Sequence, residues 1–182
     1  MITFTTPTSL QIGDGAPEFE DLRGVDATSY GLSSFSDKPV LALVFISNGC
    51  PTVRVYEDRL KDLQESYGPR GVQIVAINSN NPHLSPSDSY PEMVRRSEDG
   101  GFNFPYLQDE DGNVARAYGA ISTPHAFVLD RQRRLSYRGR IDDSRDPAKI
   151  TSHDLESALA DVLEGRTVEA PDTAPFGCAI VR

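Results

Sequence analysis

Sulfur is scarce in this chain: its 182 residues hold two cysteines, Cys50 and Cys178, and two methionines. Two cysteines are too few for a disulfide scaffold and too few for a metal cluster. The three histidines, His83, His125 and His153, are scattered without ligand spacing, so neither a metal site nor a cofactor is expected. Positive charge is short as well. Eighteen Lys and Arg face 27 Asp and Glu, for a formal net charge of −9 spread along the chain, which argues against nucleic acid or an anionic membrane surface as partner. No run approaches the ~18 apolar residues of a membrane span, and the opening Met1-Ile-Thr-Phe-Thr-Thr-Pro7 has no basic start and no apolar stretch of signal-peptide length. A cytoplasmic protein is the default expectation. Repeats and low-complexity tracts are missing too, and the length suits one domain with a core large enough to fold unaided.

What is present is concentrated between Val40 and Tyr56. Val40-Leu-Ala-Leu-Val-Phe-Ile46 is a continuous apolar run rich in Val, which suits a strand buried on both faces. A polar turn, Ser47-Asn48-Gly49, leads to Cys50-Pro51. Proline lacks an amide proton and is preset near helical φ, so Pro51 fits the first helical position and Cys50 becomes the N-cap. A sulfur there faces unpaired N–H groups and the positive end of the helix dipole, which favours the reactive thiolate. A lone cysteine is otherwise a small buried hydrophobe.

Around this stretch the pattern is orderly. Residues 1–16 read as an arm, residues 17–165 as the folded domain and residues 166–182 as a tail carrying Cys178. Glu18–Leu22 and Ala27–Tyr30 alternate weakly around Arg23-Gly24, predicting a short hairpin. Thr52–Tyr67 has helical spacing, Gly71–Asn78 is a second buried strand, and Ser79–Tyr90 is a loop. Pro91–Glu98 and Asn113–Tyr118 read as short helices, Phe102–Leu107 as an extended piece, Ala126–Asp130 with Leu135–Ile141 as an antiparallel hairpin, and Ser152–Leu163 as a last helix. Strand, helix and strand with short turns make a right-handed parallel βαβ unit. Followed by a helix, a hairpin and a final helix, it gives an α/β thioredoxin order of elements, with a hairpin extension before it and a tail after it.

At Ser47-Asn-Gly-Cys-Pro51, taken with Ser122-Thr-Pro124, the sequence resembles the thioredoxin-like superfamily. More narrowly it resembles the bacterial peroxiredoxin-like branch, often labelled alkyl hydroperoxide reductase/thiol-specific antioxidant or thiol-disulfide isomerase. Val55–Leu60, Val75–Asn80, Phe104–Asp109, Val114–Ala120, Tyr137–Asp143 and Gly177-Cys178 extend the likeness over nearly the whole chain. The resemblance implies a thioredoxin fold (a central mixed sheet flanked by helices), redox chemistry at Cys50, and a cis Pro124 that turns the Thr123 backbone toward the sulfur to meet a peptide or peroxide. It also implies an external reductant, a thioredoxin-like protein or a low-molecular-weight thiol. Relatives usually carry Cys-x-x-Cys, but Ser47 stands at the first position here, so exchange within the motif is impossible.

Two readings follow. Ser47-x-x-Cys50 resembles the Thr/Ser-x-x-Cys of peroxiredoxins, whose hydroxyl hydrogen-bonds peroxide and thiolate; Ser47 is equally placed to shape the turn. Alternatively Cys178, in a tail broken by Pro171, Pro175 and Gly177, folds back to supply the missing sulfur. Arg54, one helical turn after Cys50, is a candidate to hold a thiolate or an anionic substrate, or else to pair with Glu57 or Asp58. His125 is a candidate proton donor or a structural histidine, and Arg138 and Arg140 suit organising Asp142 and Asp143. The function expected is a thiol oxidoreductase with peroxide or disulfide as substrate. A monothiol exchange protein and a redox-inactive binding module are the alternatives.

Overall fold

The computed structural model describes residues 9–182; residues 1–8 of the expected arm lie outside the described residues. In chain order the elements are β1 (Leu22–Gly24), β2 (Ser29–Tyr30), β3 (Val40–Phe45), α1 (Pro51–Tyr67), β4 (Val72–Asn78), α2 (Tyr90–Gly100), β5 (Tyr106–Gln108), α3 (Asn113–Tyr118), β6 (Ser122–Thr123), β7 (His125–Leu129), β8 (Leu135–Gly139), α4 (Asp154–Leu163) and β9 (Cys178–Ala179). Two sheets form: a seven-stranded one ordered β2-β1-β5-β4-β3-β7-β8, and a separate β6-β9 pair. β3, β4 and β5 run parallel, and β7 joins β3 antiparallel before turning back into β8. This is a thioredoxin fold, extended at one edge by the β1-β2 hairpin on β5.

The unbroken apolar run of β3 has a plain cause. Side chains alternate across a strand, and both faces of this one are covered. Val40, Ala42, Val44 and Ile46 pack with Val53, Tyr56 and Leu60 of α1 and Leu155 and Leu159 of α4. Leu41, Leu43 and Phe45 pack with Val114, Ala115 and Tyr118 of α3 and with Leu10, Phe19 and Phe35. Central position, with helices on both sides, leaves no polar slot along the strand.

The N-terminal hairpin differs from its expected register. Arg23 and Gly24 lie in a strand, with Arg23 opposite Ser29, and the turn falls at Val25–Thr28 instead. Asp26 decides this by accepting from the Thr28 N–H (3.0 Å) and the Tyr30 hydroxyl (2.7 Å), a side-chain-stabilised turn. Ends of the other elements shift by a residue or two, as frayed termini do, except that the extended piece expected from Phe102 forms a strand only from Tyr106.

The tail runs a definite course. Arg138 of β8 donates its N–H to Pro171 O (2.9 Å), Thr173 donates back to Arg138 O (3.0 Å), and the Thr173 hydroxyl meets Tyr137 Oη (2.8 Å). Gly139, at φ +144°, leaves room for this, since a Cβ there would fall 2.5 Å from the Thr173 carbonyl oxygen. From that anchor the chain passes Phe176, edge-on to Tyr56 with ring centroids 6.1 Å apart, and reaches the end of the sheet where α1 begins.

Candidate active site

The site starts from the turn between β3 and α1. Cys50 is the N-cap of α1 with extended backbone (φ −82°, ψ 115°), Pro51 follows at the first helical position, and the Arg54 N–H closes the first helical hydrogen bond on Cys50 O at 3.2 Å. The Cys50 side chain is 2% exposed. Across from it the Thr123–Pro124 peptide is cis, and the Cys50 thiol donates to Thr123 O at 3.2 Å.

The second sulfur arrives on β9. Cys178 pairs with Thr123 and Ala179 with Ser122 in an antiparallel ladder, which sets Cys178 Sγ 2.6 Å from Cys50 Sγ, against about 2.05 Å in a disulfide. Both cysteines are free thiols. Gly177 makes the approach possible: at φ +151°, a Cβ on it would stand 2.0 Å from Thr123 O. Burial raises the Cys50 pKa, but hydrogen bonds from the Cys178 thiol, the Val53 N–H, the Thr123 side chain and the Cys178 N–H outweigh it, and the net shift is downward. The Cys178 thiol is pushed up by burial and by its place as donor to Cys50. Both shifts act in the sense that favours the thiolate on Cys50 over that on Cys178.

The remaining candidates fall at different distances from this pair. Ser47 is buried, and its Oγ lies 3.1 Å from Thr123 Oγ1, so it braces the cis-proline turn. Arg54 is exposed and its Nε donates to Asn48 O at 3.1 Å; Glu57 instead pairs with Arg96. His125 is buried in β7 opposite Phe45, receives the Ile121 N–H on Nδ1 (3.4 Å), and packs on Phe127. Burial, with a smaller push from Arg138, lowers its pKa to about 4, so near neutral pH it is a neutral imidazole and not an imidazolium acid. Arg138 and Arg140 do not organise Asp142 and Asp143: they pair with Asp172 and Asp154 (both 2.7 Å), while Asp142 is taken by Arg59 at 2.7 Å. The strand directs both arginines to acids of the tail and of α4.

Beside the motif lies a polar cluster that sequence reading left inside a loop. Asp88, 1% exposed, accepts from the Asn48 N–H (2.6 Å), Asn78 Nδ2 (2.8 Å), Asn80 Nδ2 (2.9 Å) and Ser85 Oγ (2.6 Å). The signal was the clustering of Asn and Ser from Asn78 to Ser89, which marks a loop but not which of its groups turn inward.

A mixed sheet, a cysteine capping the helix after its central strand, and a cis proline opposite define a thioredoxin-like protein. The match is narrower than that: the Redoxin family model covers residues 11–159, and the chain belongs to that family. Cys178 lies beyond the matched residues. Among solved structures, the chain is similar to a hypothetical protein from Sinorhizobium meliloti 1021, with 36% identity, 95% of each chain covered and a TM-score of 0.88. It is also similar to an uncharacterized conserved protein from Geobacillus kaustophilus, with 37% identity, 95% of this chain and 93% of that one covered, and a TM-score of 0.89. Among curated relatives, the thiol-disulfide oxidoreductase ResA of Geobacillus kaustophilus (strain HTA426) is 29% identical over 130 residues, 70% of this chain and 68% of that protein.

Proposed function

We propose that the protein is a thiol-disulfide oxidoreductase that cycles between a dithiol and a Cys50–Cys178 disulfide. The observation that carries this reading is the meeting of the two sulfurs, 2.6 Å apart, from positions 128 residues apart in sequence. The Cys50 thiolate attacks one sulfur of a substrate disulfide, forms a mixed disulfide and releases the other sulfur as a thiolate. Cys178 passes its proton to that leaving thiolate through solvent, attacks the Cys50 sulfur, and releases the second substrate sulfur, which takes up a proton from water. The substrate gains two electrons and the pair of cysteines loses two. An external reductant, a thioredoxin-like protein or a low-molecular-weight thiol, returns them.

The lowered Cys50 pKa and the raised Cys178 pKa support that order of attack. The relatives' printed name, thiol-disulfide oxidoreductase, supports the class. A disulfide is favoured over a peroxide as oxidant because Ser47, the group expected to hydrogen-bond peroxide, is turned to Thr123, and Arg54, the candidate to hold a thiolate, to Asn48 O.

The test treats the reduced protein with stoichiometric glutathione disulfide or hydrogen peroxide, quenches with an alkylating agent and maps both cysteines by peptide mass. The expected result is a Cys50–Cys178 disulfide formed faster with glutathione disulfide, and a glutathione adduct accumulating on Cys50 in Cys178→Ser. Faster reaction with peroxide through sulfenic acid at Cys50 would make the protein a peroxidase. A Cys50 left reduced by both oxidants would make it a binding module.

A further inference from the structure

β9 is two residues long, and the tail around it is half-buried or exposed, so it lacks the apolar burial that holds an ordinary strand. The Thr173 anchor and the packing of Phe176 and Ile180 on the core bring it to the site, and a few polar contacts past Cys178 fix its end. Ile180 donates to Ile121 O (3.3 Å) and the Arg182 guanidinium to Ala120 O (2.8 Å). Val181 is gripped on both sides: its carbonyl accepts the Asn81 N–H at 2.8 Å and its N–H donates to Asn80 Oδ1 at 2.9 Å. Asn80 is 6% exposed, and its other side-chain group, Nδ2, donates to Asp88 Oδ2. The second oxygen of Asp88 holds the N–H of Asn48, two residues before Cys50. One carboxylate therefore braces the loop in front of the nucleophile and, through one amide, the strand behind the second sulfur.

We infer that Asn80 is a positioning residue for the step in which Cys178 closes on Cys50, latching the tail to the Asp88 carboxylate that also fixes the Cys50 loop. The inference rests on the two-cysteine reading above. Attack of sulfur on sulfur is sensitive to alignment, and displacement of about 1 Å costs on the order of a hundredfold in such steps. Loss of one contact among the several that hold the tail is expected to cost roughly tenfold. The latch also keeps the tail over Cys50, so its loss leaves the first attack, on the external disulfide, unchanged or faster.

The experiment separates the two steps by rapid mixing of reduced protein with glutathione disulfide. Attack by Cys50 is timed in the Cys178→Ser background, and closure of the Cys50–Cys178 bond with both cysteines present. In Asn80→Ala, closure is expected to slow roughly tenfold while the first attack is not slowed. Deletion of residues 180–182 leaves buried Asn80 in place but removes the Val181 N–H together with the Ile180, Arg182 and Val181 carbonyl bonds, and is expected to slow closure at least as much. A purely structural Asn80 would lower stability without changing the ratio of the two rates. Closure at the wild-type rate in either variant, or equal slowing of both steps, overturns the latch. If the wild-type protein forms no Cys50–Cys178 bond at all, the two-cysteine reading falls and takes the latch with it, an outcome distinct from the other two.

Discussion

His125 follows the cis proline in sequence and Cys50 faces it across the site; burial disfavours the charged form of both, yet the net outcomes differ. For Cys50, hydrogen bonds to the sulfur outweigh desolvation and the charged form gains. For His125, desolvation wins, because its partners are an N–H and an aromatic ring that do nothing for an imidazolium. A histidine whose folded pKa lies near 4, below the ordinary 6.5, resists protonation, so its contribution to stability is complete above about pH 6.5 and is lost as the pH falls toward 4. At pH 4.5 that loss is on the order of 2–3 kcal/mol. Asn places an acceptor where Nδ1 stands and does not titrate. Between pH 7 and 4.5, His125→Asn is therefore expected to lose roughly 2–3 kcal/mol less stability than the wild type by denaturant titration. Parallel losses in the two proteins would show that His125 takes no part in the acid response.

At the scale of elements, α1 ties the site to the rest of the fold. It presents Val53, Tyr56 and Leu60 to the sheet, and on the same side Tyr56 Oη (2.6 Å) and the Arg59 guanidinium (2.7 Å) both bond Asp142, which is 2% exposed. Truncating Asp142 leaves the Tyr56 hydroxyl without its acceptor and the half-buried Arg59 guanidinium without its carboxylate, held by the Ser144 and Arg145 carbonyls. Asp142→Ala is expected to cost about 3 kcal/mol, read as a lower denaturant midpoint, with the Cys50 thiolate titration unchanged because the network lies along the helix from the N-cap. A shifted Cys50 titration would mean that the helix start itself had moved. How far such elements can be read in advance depends on burial. β3 announces itself because both its faces are covered, and Cys50 because strand, turn and Pro51 leave it one place to stand. The β6-β9 pair and the cluster around Asp88 are invisible by the same logic: two-residue strands have no period, and Asn78, Asn80 and Asp88 look like solvent-facing loop until Asn48 and Val181 arrive from distant parts of the chain. The pairing of Cys178 with Cys50 stayed open in the sequence for that reason, since it depends on Thr173 and Gly177 carrying the tail along β8 and past Thr123.

On the scale of the whole molecule, the Cys50–Cys178 disulfide of the proposed cycle would cross-link the tail to the start of α1. The Redoxin match ends at residue 159, yet the sulfur facing Cys50 stands at 178, so a bond between them closes a loop of 128 residues that contains α1 and every element after it. In the chain-entropy account, a cross-link spanning that length stabilises the folded state by about 5 kcal/mol at most, by restricting the unfolded ensemble, and native strain and residual unfolded structure subtract from that figure. The oxidised protein is therefore expected to unfold in denaturant at a clearly higher midpoint than the reduced one, by about 2–5 kcal/mol. The reduced and oxidised forms of Cys178→Ser are expected to coincide, because no cross-link forms in either. Cys50→Ser provides the matching control. If the oxidised wild type gains no resistance while its internal disulfide is verified by mass, then the bond has drawn the tail out of its native course, and the energy gained from the cross-link has been spent in breaking the contacts of β9 with β6.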